Sequence, residues 1–287
     1  RSPGGAPVEH LAAAAASSSI ECSAEEEASS ESADREAVIQ ELGYLPPNFL
    51  RISGRTTTAG DGGGGRGGRP VAIQTYPLNG GARRRRAKAR GKLTPFPTLY
   101  WLCNSDISRA VADMERRGYV KILEERIRSS SSSSSSVSSS GDDADCAAAQ
   151  FRRCHVEYAE DRWGTLTEED RIMLESGVVV AAGGDGGGDK DDDDDGEERG
   201  NEGRWGGEKR INERMVDMIR RSGVAGTDYL SGSSAEGGDA GAAEPSFVPS
   251  VKCLHAHYAH YRSGGETNIV GKWTDDILRE EYPDVDL

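Results

Sequence analysis

Positions 129–140 are serine except for Val137, and positions 183–196 are glycine and aspartate except for Lys190. Tracts like these cannot bury enough apolar surface to offset the entropy of ordering, so they break the chain into separated foldable pieces. Four further stretches share the character: 1–34, rich in Ala and Ser with seven acids; 55–68, containing GDGGGGRGG; 79–92, with its Arg83–Arg86 run; and 231–246. Together with 129–147 and 177–207 they take up 128 of the 287 residues. The expectation is an acidic disordered segment over 1–34, then one domain over 35–287 with disordered insertions at about 55–68, 79–92, 129–147, 177–207 and 231–246. Loop closure costs little more as loops lengthen, so one domain tolerates such insertions.

Charge follows the same division. The formal net charge is -14, yet the six stretches hold -11 of it and leave 159 residues carrying -3. That folded remainder has no basic face for nucleic acid, and the +7 block at 79–92 lacks interleaved aromatics, so it reads as a solvated loop. No apolar run approaches the roughly 20 residues of a membrane helix. Five cysteines are an odd number with no framework spacing, which implies reduced thiols in an intracellular compartment. The chain begins at Arg1 rather than Met, so a native N-terminus upstream or a processed one is expected, and the compartment within the cell is left open.

Between the tracts the pattern becomes periodic. Arg35 to Gly43 reads as a short helix with Val38, Ile39 and Leu42 on one side, stopped by Gly43 and the Pro46-Pro47 pair. Val71, Ile73 and Thr75 alternate as a strand would, and Leu99 to Leu102 form a second strand. These two blocks predict an antiparallel pairing of 94–104 with 71–76. Asn104 or Ser105 caps a helix to Arg117, whose Ile107-Val111-Met114 face is expected on the sheet, with Gly118 as its stop. Residues 119–128 fit strand or helix. Helices are expected at 147–163, 165–176, 208–222 and 248–263, with a last one from Trp273 to Glu281. The class is α+β: a helix-dominated single domain with a small antiparallel sheet.

Two long motifs carry a resemblance. TPFPTLYWLCN at 94–104, leading into MERRGYVKILEERI, and VKCLHAHYAHYRSGGETNIVGKW at 251–273 resemble the bacterial family known as domain of unknown function 501. Leu42-Gly43-Tyr44-Leu45-Pro46-Pro47 and the helix containing His155 and Tyr158 are similar to weaker blocks of that family. In one respect the chain departs from it. Family members often carry Cys-Pro after an arginine in the first block, whereas Arg55 is followed here by Thr56-Thr57. The resemblance implies a fold unit and assigns no reaction, and the long insertions suggest a eukaryotic relative.

The richest chemistry lies in Cys253, His255, His257 and His260. On a helix advancing about 100° per residue, His257 and His260 fall about 40° and about -20° from Cys253, so the three share a stripe. A thiolate and two imidazoles on one stripe suit a divalent metal such as zinc, with His155, Cys154 or Cys103 as a fourth donor. His255 falls off this stripe. The same pattern also fits thiol catalysis through Cys253 and His257, or core packing by a small buried cysteine and satisfied histidines. Thr94, Phe96 and Thr98, with Tyr100 beyond them, form a stiff Pro-Phe-Pro corner that shapes either a ligand pocket or a turn. Two function classes therefore stand: a small-ligand or metal-binding domain using helix 251–262, and a non-catalytic interaction domain whose motifs are structural.

Overall fold

A computed structural model describes residues 29–57, 67–79, 94–132, 146–176, 178–179, 209–210, 213–227 and 249–287. The stretches expected to be disordered lie largely outside these residues. Their edges are ordered where order was not expected. Residues 29–34 open a helix over 29–42 (α1), and Ser129–Ser132 finish a later one. Acids of the first edge are paired: Arg35 reaches back to Glu31 at 2.7 Å and Arg55 reaches Asp34 at 2.5 Å.

The strands are β1 (Phe49–Arg55), β2 (Pro70–Thr75), β3 (Leu78–Asn79), β4 (Thr94–Pro95) and β5 (Tyr100–Leu102), with β6 (Val178–Val179) and β7 (Lys209–Arg210) later in the chain. The helices after α1 are α2 (Ser105–Arg116), α3 (Tyr119–Ser132), α4 (Ala147–Thr165), α5 (Glu168–Ser176), α6 (Glu213–Arg221), α7 (Leu254–Arg262) and α8 (Ile269–Glu281). The class is α+β, dominated by helices around a small antiparallel sheet. Contacts divide the chain into two compact units. One is drawn from Arg1–Thr75, Thr98–Cys154 and Val248–Leu287, the other from Tyr76–Pro97 and His155–Phe247.

In the first unit the sheet runs β1-β2-β5. Ala72, Ile73 and Gln74 face Leu102, Trp101 and Tyr100, as the two strand patterns predict. Every residue of the central strand β2 is buried, and its one amide side chain, Gln74, accepts a hydrogen bond from Arg51 Nε at 2.7 Å. Val38 of α1 packs with Phe49, Ile73 and Cys103. Ile39, expected on that same side, is instead 44% exposed; one residue further on is 100° further round the helix.

Asn104 caps α2, its side-chain oxygen accepting from the amides of Asp106 and Ile107. Ile107, Val111 and Met114 are fully buried, each contributing roughly 1.5–3 kcal/mol through burial. Their expected place on the sheet is corrected. α2 packs chiefly against α3, α7 and α8, because α7 covers all three strands and takes that position. Gly118, at φ 89°, ends the helical run, and the ambiguous block that follows is the helix α3.

The 248–263 helix starts late. Residues 251–253 are not helical, Cys253 is the N-cap of α7 in an extended conformation at φ -159°, and the first helical residue is Leu254. α8 starts early, since the Asn268 side chain accepts from Gly271 N–H and secures a turn ahead of Trp273. At Gly271 a Cβ would stand 2.6 Å from the His257 carbonyl oxygen and 2.4 Å from Tyr261 Cβ. Glycine is what lets α7 and α8 come this close.

The second unit holds the β3-β4 and β6-β7 ribbons, the later part of α4, α5 and α6. Lys209 and Arg210, expected to be helical, pair with Val178 and Val179 instead. Arg162 is fully buried and donates to the carbonyls of Ile219 (2.7 Å), Pro97 (3.0 Å) and Ser222. Buried Asp170 accepts from Tyr76 Oη at 2.5 Å. No described helix is long and apolar enough to cross a membrane.

Candidate metal centre

Ser108 and Glu115 are seven residues apart on α2, which brings them to within about 20° of one line. That line meets the start of α7. Leu254 N–H donates to Glu115 Oε1 at 2.6 Å, and Val251 N–H donates to Glu124 Oε1 at 2.8 Å. Cys253 makes no side-chain cap, so the Glu115 carboxylate serves a first-turn amide and the positive end of the helix. His255 then turns back toward α2. Its Nε2–H donates to the Ser108 carbonyl at 3.1 Å, which leaves Nδ1 at 3.3 Å from Glu115 Oε1.

The result is a cluster of three donor types. Among the described residues, Glu115, Cys253 and His255 bring one ligand atom each to within 4.8 Å of one another, all from half-buried side chains. A hydrogen bond with Cys253, aided by the negative charge of Glu115, lifts the His255 imidazole to about 9 despite its partial burial. In the absence of an ion the imidazole therefore stays protonated at neutral pH. The Cys253 thiol and Glu115 carboxylate are its partners.

The stripe expected through Cys253, His257 and His260 is corrected. Cys253 precedes the helix in an extended conformation, so the rotation per residue that would align it does not apply. His257 and His260 are buried and share Asn268 instead. Asn268 Oδ1 lies 3.0 Å from His257 Nδ1, and Asn268 Nδ2 lies 3.1 Å from His260 Nδ1. Since Oδ1 also accepts from Gly271 N–H at 3.0 Å, the amide orientation is fixed. His257 therefore donates from Nδ1, and His260 accepts at Nδ1. Burial pushes His257 down to about 4 and His260 down to about 3, so both are neutral. His260 stacks on Tyr100 and His257 on Phe151, each with ring centroids 5.6 Å apart.

The other expected residues lie elsewhere. Cys103 is in the apolar cluster with Val38, Phe49 and Ile73, where burial pushes its thiol up to about 12. Cys154 is buried, with Sγ donating to the Phe151 carbonyl at 3.0 Å. His155 belongs to the second unit and accepts from Val224 N–H at 2.9 Å. Thr94 is in β4, Phe96 N–H donates to the Pro77 carbonyl, and the Thr98 carbonyl accepts from the Thr75 hydroxyl at 2.8 Å. Glu115 and Asn268 were not anticipated. Glu115 is 139 positions from the amide it caps, and an acid in a helical last turn carries no local signal. Asn268 could have been found as an N-cap ahead of an apolar run.

A helix-dominated α+β protein with a mixed Cys/His/Glu cluster at a helix start is the class that fold and site define. Residues 65–188 and 201–276 match the family described as Protein of unknown function (DUF501), and the chain belongs to that family. The resemblance carried by the 94–104 and 251–273 motifs is thereby borne out. No curated protein and no solved structure matches the chain.

Proposed function

We propose that this protein is a metal-binding domain that holds a divalent ion, zinc by the chemistry of its donors, through Glu115, Cys253 and His255. The observation that carries the reading is the convergence of three different donors, from Glu115, Cys253 and His255, to within 4.8 Å of one another. Donors each about 2.0–2.3 Å from one ion stand less than about 4.6 Å apart, so a small movement brings this cluster to coordination distance. The outer contacts agree. His255 gives its far N–H to a backbone carbonyl, the arrangement that fixes the tautomer of a ligating imidazole, and Glu115 is steadied by Leu254 N–H. One sulfur, one nitrogen and one carboxylate form a borderline donor set, which suits zinc better than calcium or magnesium.

Metal analysis of untagged protein purified without chelator tests the reading. One equivalent of zinc is expected in the parent, and a large loss in Cys253→Ser and in Glu115→Gln. A metal-free parent that also fails to take up added zinc would leave the alternative, an interaction domain whose motifs are structural.

A further inference from the structure

The three donors leave one corner of a tetrahedron without a protein ligand among the described residues. The cluster is also open to solvent: the His255 and Glu115 side chains are 29% and 28% exposed. We infer that the fourth corner is an exchangeable coordination position, filled by water and open to small anionic donors. The inference rests on the metal reading above and sharpens it. A structural zinc site closes on four protein ligands, whereas a reactive one keeps three and leaves a place for water or substrate.

The packing around the cluster points the same way. α7 is anchored without any ion. Leu254, Tyr258 and Ala259 are fully buried, and the Tyr258 hydroxyl donates to Asp275 at 2.8 Å while accepting from Arg262 at 2.8 Å. The amides of Val251 and Leu254 have carboxylate acceptors. An ion here is not needed to close the core. A thiolate and a carboxylate also balance the dication, so a small monoanion meets no net negative charge from the ligands themselves. Exchange is then simple: the anion forms one bond to the ion as the bound water leaves. The ligand class is a small monoanion or polar molecule with a single accessible oxygen, nitrogen or sulfur donor.

Cobalt(II) loaded into the full chain in place of zinc, then titrated with azide, tests this directly. The expected result is one equivalent of cobalt with a thiolate charge-transfer band that is lost in Cys253→Ser. Azide should shift the visible d–d bands in a saturable way while that charge-transfer band persists. Chelated protein should keep its far-ultraviolet signal and cooperative unfolding. If the chain binds no cobalt, the metal reading fails and takes this inference with it. If cobalt binds but its spectrum ignores azide to saturating concentration, the corner is closed, and the metal reading alone survives. Loss of the fold on chelation likewise overturns the open corner, since it would mark a structural site.

Discussion

Nδ1 of His255 stands 3.3 Å from Oε1 of Glu115, joining the first turn of α7 to the last turn of α2. The contact depends on both helix ends. Glu115 is oriented by the Leu254 amide, and His255 by the Ser108 carbonyl. Each side chain is thus held by a backbone group of the opposite helix, which substitution leaves in place.

A first prediction concerns thiol chemistry. Cys253 is half-buried, while Cys103 and Cys154 are 1% and 0% exposed. Iodoacetamide should therefore label Cys253 well ahead of Cys103 and Cys154 in native, metal-free protein. Saturating zinc should suppress the Cys253 adduct in proportion to the sites filled, as read by peptide mass spectrometry. Equal labelling of Cys253 with and without zinc would count against its being a ligand.

Neighbouring residues at the start of α7 should separate stability from binding. Leu254 is fully buried, so Leu254→Ala should cost about 2–5 kcal/mol in urea unfolding. Zinc stoichiometry should be kept wherever that variant remains folded. Cys253→Ser should do the reverse, losing zinc with a much smaller change in metal-free stability. Matching losses of stability in both variants would mean that Cys253 is core packing.

Acid should unfold the first unit early, through His257 and His260. Their folded values, about 4 and about 3, lie below the 6.5 of a free imidazole. As pH falls, the unfolded chain therefore takes up protons before the folded one does. Their contribution is complete above about pH 6.5 and is lost progressively as pH falls toward about 4. The urea midpoint should decline through that window as pH falls, while His255, raised to about 9, acts in the opposite sense above about pH 6.5, where its contribution falls as pH rises. A midpoint that stays flat down to about pH 5 would show that these imidazoles are not held neutral.

Asn268 joins three contacts: the Gly271 amide and one ring nitrogen from each buried histidine. Asn268→Ala removes a helix cap and strands buried polar groups, for a combined cost of about 2–4 kcal/mol. Gly271→Ala should also destabilise, because its Cβ would meet the His257 carbonyl and Tyr261 Cβ. Thermal melts of both variants, with zinc content measured alongside, check this. The expected signature is a lower midpoint with the metal stoichiometry unchanged.

Much of the fold was legible because its signals are local. Strand alternation at 71–75, the Asn104 cap, the Gly118 stop and the periodic face of α2 depend on residues within a turn or two of one another. The Ser and Gly/Asp tracts marked by composition lie almost wholly outside the described residues. The family, too, was carried by contiguous motifs at 94–104 and 251–273.

The grouping of site residues was settled only by tertiary structure. Helical angles placed Cys253 with His257 and His260, but the chain is still extended at Cys253, and Leu254 starts the helix. One residue of difference in a helix start redirects a side chain completely. His255, off the expected stripe, faces Cys253 because α2 supplies the Ser108 carbonyl and the Glu115 carboxylate across a gap of more than a hundred residues. Periodicity along the sequence tells which residues share a face of one element. Which faces meet is decided by packing: α7 had to cover the sheet and cross α8 at Gly271, and that crossing turned His257 and His260 into the core and left Cys253 and His255 at the edge with Glu115.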